Sequence, residues 1–117
     1  MARWNSVRNQ YVAGSSPDDD TVITADGAIV HSEGVKAIAK TSAAALTLSA
    51  PTADEEGIRM VLVARTAFAH VVTVAGGLGG NAADDVLTFA KVGDSIEVLA
   101  DNLHWVPVSA PYGVVIS

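Results

Sequence analysis

From Thr21 onward, apolar residues recur with a period of two in short runs, and Gly, Pro, Asp and Asn cut the runs apart. Period two marks a strand with one buried face, because successive side chains point to opposite sides of the pleat. Residues 21–24 and 28–31 flank Asp26-Gly27, a strong turn pair, and this predicts a hairpin. In residues 35–40, Val35, Ala37 and Ala39 face one way and Lys36, Ile38 and Lys40 the other. Leu46 and Leu48 alternate with Thr47 and Ser49 ahead of Pro51. Residues 59–65 form the most apolar segment, bounded by Arg59 and Arg65, and the β-branched run 70–75 stops at Gly76-Gly77. Residues 86–89, 95–99 and 104–109 complete the series, the last two joined through a turn at Asp101-Asn102. This gives about nine or ten strands spaced roughly every 8–12 residues, which predicts an all-β fold, an antiparallel β-sandwich or barrel of jelly-roll-like type. The alanines at 43–45 pull locally toward helix, against the β-branched content around them.

A chain of 117 residues suits one domain with one modest core. Residues 1–20 are polar and end in Gly14-Ser15-Ser16-Pro17 followed by Asp18, Asp19 and Asp20, which reads as an extended N-terminal arm. Residues 21–117 read as a single β domain, closed by a short apolar tail that Pro111 and Gly113 interrupt. With 50% hydrophobic and 17% charged residues the composition is too apolar for a disordered chain. No apolar run approaches the ~20 residues that cross a bilayer, so no membrane partner is expected. Arg3 and Arg8 are not followed by an apolar signal core, which predicts synthesis and assembly in the cytosol. The net charge of −6 argues against a nucleic-acid partner. The absence of cysteine removes disulfides, thiolate nucleophiles and Cys-based metal sites.

Candidate chemistry is sparse. Gly77, Gly79 and Ala82 follow an apolar strand in the spacing of a dinucleotide fingerprint, with Asp101 as the acid for a ribose. That fingerprint needs a strand–helix–strand unit, whereas the flanking residues, including Thr88 and Phe89, suit strands joined by a glycine loop. His31, His70 and His104 show no metal-ligand spacing, and the acidic groups at 18–20, 54–56 and 84–85 lack a calcium-loop pattern. Those acids read as solvated turns. No Gly-x-Ser-x-Gly elbow occurs, and no catalytic constellation is legible. The expectation is a protein without enzymatic activity, cofactor or metal.

Two segments stand out as interaction elements. Trp4 and Tyr11 lie in the polar arm with Arg3 and Arg8, the residue types that dominate interface energetics. Trp105 lies in an alternating strand, and Val114, Val115 and Ile116 form the apolar tail. These four are candidates for a subunit interface.

Residues 45–109 carry a recognisable succession: Leu46 to Pro51, then Glu56-Gly57 and an apolar strand, then Val72-Thr73-Val74 and the glycine loop, then Gly93-Asp94-Ser95-Ile96 and the Trp105 strand. The succession resembles capsid decoration (cement) proteins of tailed bacteriophages and related head-fibre and tail-fibre β-modules. The resemblance implies a β-sandwich or barrel subunit, usually a homotrimer, bound to the major capsid protein on the capsid exterior of the virion. It implies no catalytic motif. Extended to this chain, Arg3, Trp4, Arg8 and Tyr11 would form the capsid-binding arm. A receptor-recognising fibre knob is the alternative, though the long shaft usual in such chains is missing here.

Overall fold

The computed structural model describes residues 21–117. Ten strands form two five-stranded sheets. They are β1 (Thr21–Ile23), β2 (Gly27–Ala28), β3 (Gly34–Ile38), β4 (Ala45–Leu48), β5 (Arg59–Ala64), β6 (His70–Val74), β7 (Val86–Phe89), β8 (Ser95–Asp101), β9 (His104–Pro107) and β10 (Val115–Ile116). The first sheet has the order β1-β3-β5-β8-β9 and the second β10-β7-β6-β4-β2. The protein is therefore an all-β sandwich, and its two sheets do not close into a barrel.

The pairing differs from a purely antiparallel sandwich. β1, β3 and β5 run parallel in one sheet, and β2, β4 and β6 run parallel in the other. The first six strands alternate between the sheets, so the chain winds around the core. Parallel neighbours need a long crossover, and here each crossover contains a strand of the opposite sheet. Only β7 to β10 add antiparallel partners: β6–β7, β5–β8, β8–β9 and β7–β10. The expected hairpin across Asp26-Gly27 is consequently absent. β1 pairs with β3, and β2 with β4 in the other sheet. Gly27 has a φ of 142°, outside the values of a tight hairpin turn. Instead Asp26 Oδ1 accepts the Ala45 amide at 2.9 Å and the Lys40 ammonium at 2.8 Å, which ties the crossing to the start of β4.

Inward residues follow the period-two pattern. Met60, Leu62 and Ala64 of β5 meet Ile96 and Val98 of β8 in one layer, and Leu46, Leu48, Val72, Val74, Leu87 and Phe89 supply the other. Ala44 and Ala45 enter β4 without forming a helix. Lys36 shares the inward face with Ile38 and is fully buried, its ammonium reaching Thr21 Oγ1 at 3.2 Å and Ser32 Oγ. The β8–β9 connection is a two-residue turn with Asn102 and Leu103 both at positive φ (53° and 67°), the geometry that matches the twist of paired strands. The Glu56 carboxylate secures it by accepting the Asn102 amide at 3.0 Å.

Candidate functional site

At one end of the sandwich, four segments distant in sequence meet. His31 comes from the connection between β2 and β3, and Ser49 follows β4 directly. Glu55 closes a 3₁₀ turn, Ala53–Glu55, and Trp105 lies on β9. His31 Nδ1 is 2.9 Å from Glu55 Oε1, and His31 Nε2 is 3.1 Å from Ser49 Oγ. The Trp105 indole N–H donates to the Ser49 carbonyl at 2.9 Å. The imidazole stands edge-on to the indole, with ring centroids 5.1 Å apart and planes at 79°. The ring is thus held by a carboxylate, a hydroxyl and an aromatic wall.

Electrostatics assigns the protons. The Thr52 amide donates to Glu55 Oε1 at 2.8 Å, and this bond, followed by the one to His31, holds the Glu55 carboxyl below its ordinary value of 4.5. Glu55 is therefore a carboxylate at neutral pH and can only accept. A neutral His31 must then carry its proton on Nδ1, leaving the Nε2 lone pair to accept from the Ser49 hydroxyl. A serine hydroxyl, an imidazole and a carboxylate stand in line, the connectivity of an acyl-transfer triad. None of this was legible in the chain. The three residues lie 18 and 24 positions from one another through His31, and no local motif surrounds Ser49.

The remaining histidines have separate roles. His70 is fully buried. Its Nδ1 accepts the Ala44 amide at 3.1 Å, and its Nε2 faces Thr66 Oγ1 at 2.8 Å and the Thr66 carbonyl at 3.2 Å. Thr66 in turn donates to the Lys40 carbonyl at 2.6 Å, so His70 pins two loops together. The His104 ring lies over Gly80, where an added Cβ would come within 3.1 Å of Nε2. Among the described residues, no group of three or more His, Asp or Glu side chains is arranged to hold a metal ion.

The glycine loop joins β6 to β7, which are antiparallel, through the 3₁₀ turns Leu78–Gly80 and Ala82–Asp84. The strand–helix–strand context of a dinucleotide fingerprint is therefore not what these glycines build. Gly77 is required by contact: a Cβ there would lie 1.8 Å from the Asn81 carbonyl oxygen. Within the acidic turn 54–56, Glu55 and Glu56 accept the backbone amides of Thr52 and Asn102. Besides Glu55 and Glu56, Glu33 accepts the Arg59 amide at 2.8 Å. Asp94, 4% exposed, accepts the Ala90 and Lys91 amides through Oδ2, each at 3.0 Å.

Of the subunit-interface candidates, Trp105 and Val114 are 1% and 8% exposed within this chain's own core, so neither is available to a partner. Ile116 packs against the same core. Val115 alone points outward, at 62% exposure. The alternating strand left Trp105 open to a core or a contact role, and the fold places it in the core. The burial of the tail follows from β10 completing the edge of the second sheet against β7. The arm candidates Arg3, Trp4, Arg8 and Tyr11 lie outside the described residues. Compared with known proteins, the chain matches no family model and no curated sequence.

Proposed function

We propose that the chain is a virion structural module, a capsid decoration protein that binds the major capsid protein on the shell exterior and stabilises the shell. What carries this is the resemblance of residues 45–109. The segments that define it are the ones with architectural duties: the Gly76-Gly77 loop, the Gly93-Asp94 turn and the Trp105 strand. A ligand that binds only the assembled shell stabilises it by mass action, and several copies linked together add avidity. Self-association, as the proposed homotrimer, has support in the outer face of the first sheet. Val22 and Val108 are exposed there, and Val35, Val61, Val63 and Val106 are half-buried. Apolar patches of this kind mark interaction surfaces.

The proposed docking element is the arm, with Trp4 as anchor and Arg3 and Arg8 pairing with carboxylates. The test is decoration of empty particles, scored by electron cryomicroscopy. Deleting residues 1–10 is expected to leave the β body folded and remove most decoration, and Trp4→Ala to weaken binding by roughly 2 kcal/mol or more. Full occupancy by the truncated chain would transfer the interface to the β body. Density on a fibre instead of the shell would favour the fibre-knob alternative.

A further inference from the structure

We propose that Ser49 is a base-activated nucleophile that accepts an acyl group from small activated esters, with His31 as its base. This goes beyond the structural role above and does not depend on it.

Three observations converge on the site. The hydroxyl and the imidazole are already within hydrogen-bond reach, at 3.1 Å, the first geometric requirement for proton abstraction. Glu55, at 2.9 Å, fixes the tautomer in which Nε2 is free to take that proton, and it stabilises the imidazolium that forms. The third is accessibility with rigidity. Ser49 is exposed, whereas its backbone is held by the Trp105 indole and the ring of its base is packed on Trp105. The serine therefore stands on the solvent side of the line, with its base held in place behind it.

The chemistry balances without a further reagent. As Ser49 Oγ bonds to the ester carbonyl carbon, its proton passes to His31 Nε2. The carbon–oxygen bond to the leaving group breaks, and the leaving phenolate departs with the bonding pair. The imidazolium then returns its proton to the phenolate or to water, and the acyl group remains on Ser49. Glu55 touches neither ester nor serine and is a positioning residue.

The experiment exposes the full chain to p-nitrophenyl acetate. It follows p-nitrophenolate release and maps the acetyl adduct by peptide mass spectrometry. The expected result is an early burst with the adduct on Ser49. Ser49→Ala should abolish that adduct, and His31→Gln should slow acylation by about 10²-fold or more. Far-ultraviolet circular dichroism and the melting temperature confirm that each variant remains folded. Glu55→Gln keeps an acceptor for the Thr52 amide. It should lower the maximal acylation rate while leaving the half-saturating ester concentration unchanged, a split that a purely structural role would not produce. Acetylation confined to lysines, threonines or the N-terminus would overturn the proposal. So would a burst unchanged in Ser49→Ala, or equal rates in wild type and His31→Gln.

Discussion

Asp94 and Gly113 meet in a contact where exchanging either residue is costly. One carboxylate oxygen of Asp94 accepts the Ala90 and Lys91 amides. The other lies where a side chain on Gly113 would stand, 2.1 Å from an added Cβ. Gly113 also has a φ of 74°, in the left-handed region that disfavours any other residue. Gly113→Ala should therefore destabilise the fold by about 1–3 kcal/mol from backbone strain alone, with the clash adding to it. Asp94→Ala leaves two amides without their acceptor and should cost about 1–3 kcal/mol. Urea titrations of the two variants measure both effects. Because the residues touch, the double variant should lose less than the sum.

Between strands, loops are fastened by side chains reaching across the fold, and one such fastening is sensitive to acid. Asp26 joins the crossing between β1 and β2 to Lys40 and to the first amide of β4. The hydrogen bond from the Lys40 ammonium, then that from the Ala45 amide, hold its carboxyl below the ordinary value of 3.8. A carboxyl lowered by folding contributes stability that is complete above its unfolded value and is lost as pH falls through its folded value. The melting temperature of the wild type should thus decline as acidity rises from 3.8 downward. Asp26→Asn should start lower at neutral pH and decline less over that range. Parallel acid limbs in the two proteins would show that Asp26 contributes nothing. The strands themselves were legible, because β5 and β8 alternate cleanly between core and surface. Their partners were not. Alternation reports which face is buried but says nothing of which sheet a strand joins.

For the molecule as a whole, the C-terminal residues belong to the monomer's own fold. Val86 exchanges both backbone hydrogen bonds with Ser117, at 2.9 Å each, and Val114 and Ile116 cover the core beside Leu87. Removing residues 114–117 should lower the melting temperature of the isolated chain. Val115→Asp changes only an outward position and should leave that temperature nearly unchanged. Thermal unfolding followed by circular dichroism separates the two. If Val115→Asp alters sedimentation at constant melting temperature, the tail's exposed side takes part in self-association.

The alternating pattern by itself determined β1, β3 to β9 and the all-β class, because strand parity is a local property of the pleat, whereas the expected strand at 28–31 shrinks to Gly27–Ala28 and β10 was read only as a tail. Lys36 shows its limit. Parity placed it correctly on the face of Ile38, but only the packed fold supplies the hydroxyls of Thr21 and Ser32 around its buried ammonium. The winding of the first six strands between sheets was likewise decided by tertiary packing. Asp26-Gly27 is compatible with a hairpin or a crossing, and the bonds to Lys40 and Ala45 select the crossing. Ser49, His31 and Glu55 are the extreme case. Each is unremarkable in its own segment, and they become a hydrogen-bonded line only because β4, the β2–β3 connection and the turn before β5 end on the same side of the sandwich. Such a line depends on side-chain distances across the fold, which no period along the chain encodes.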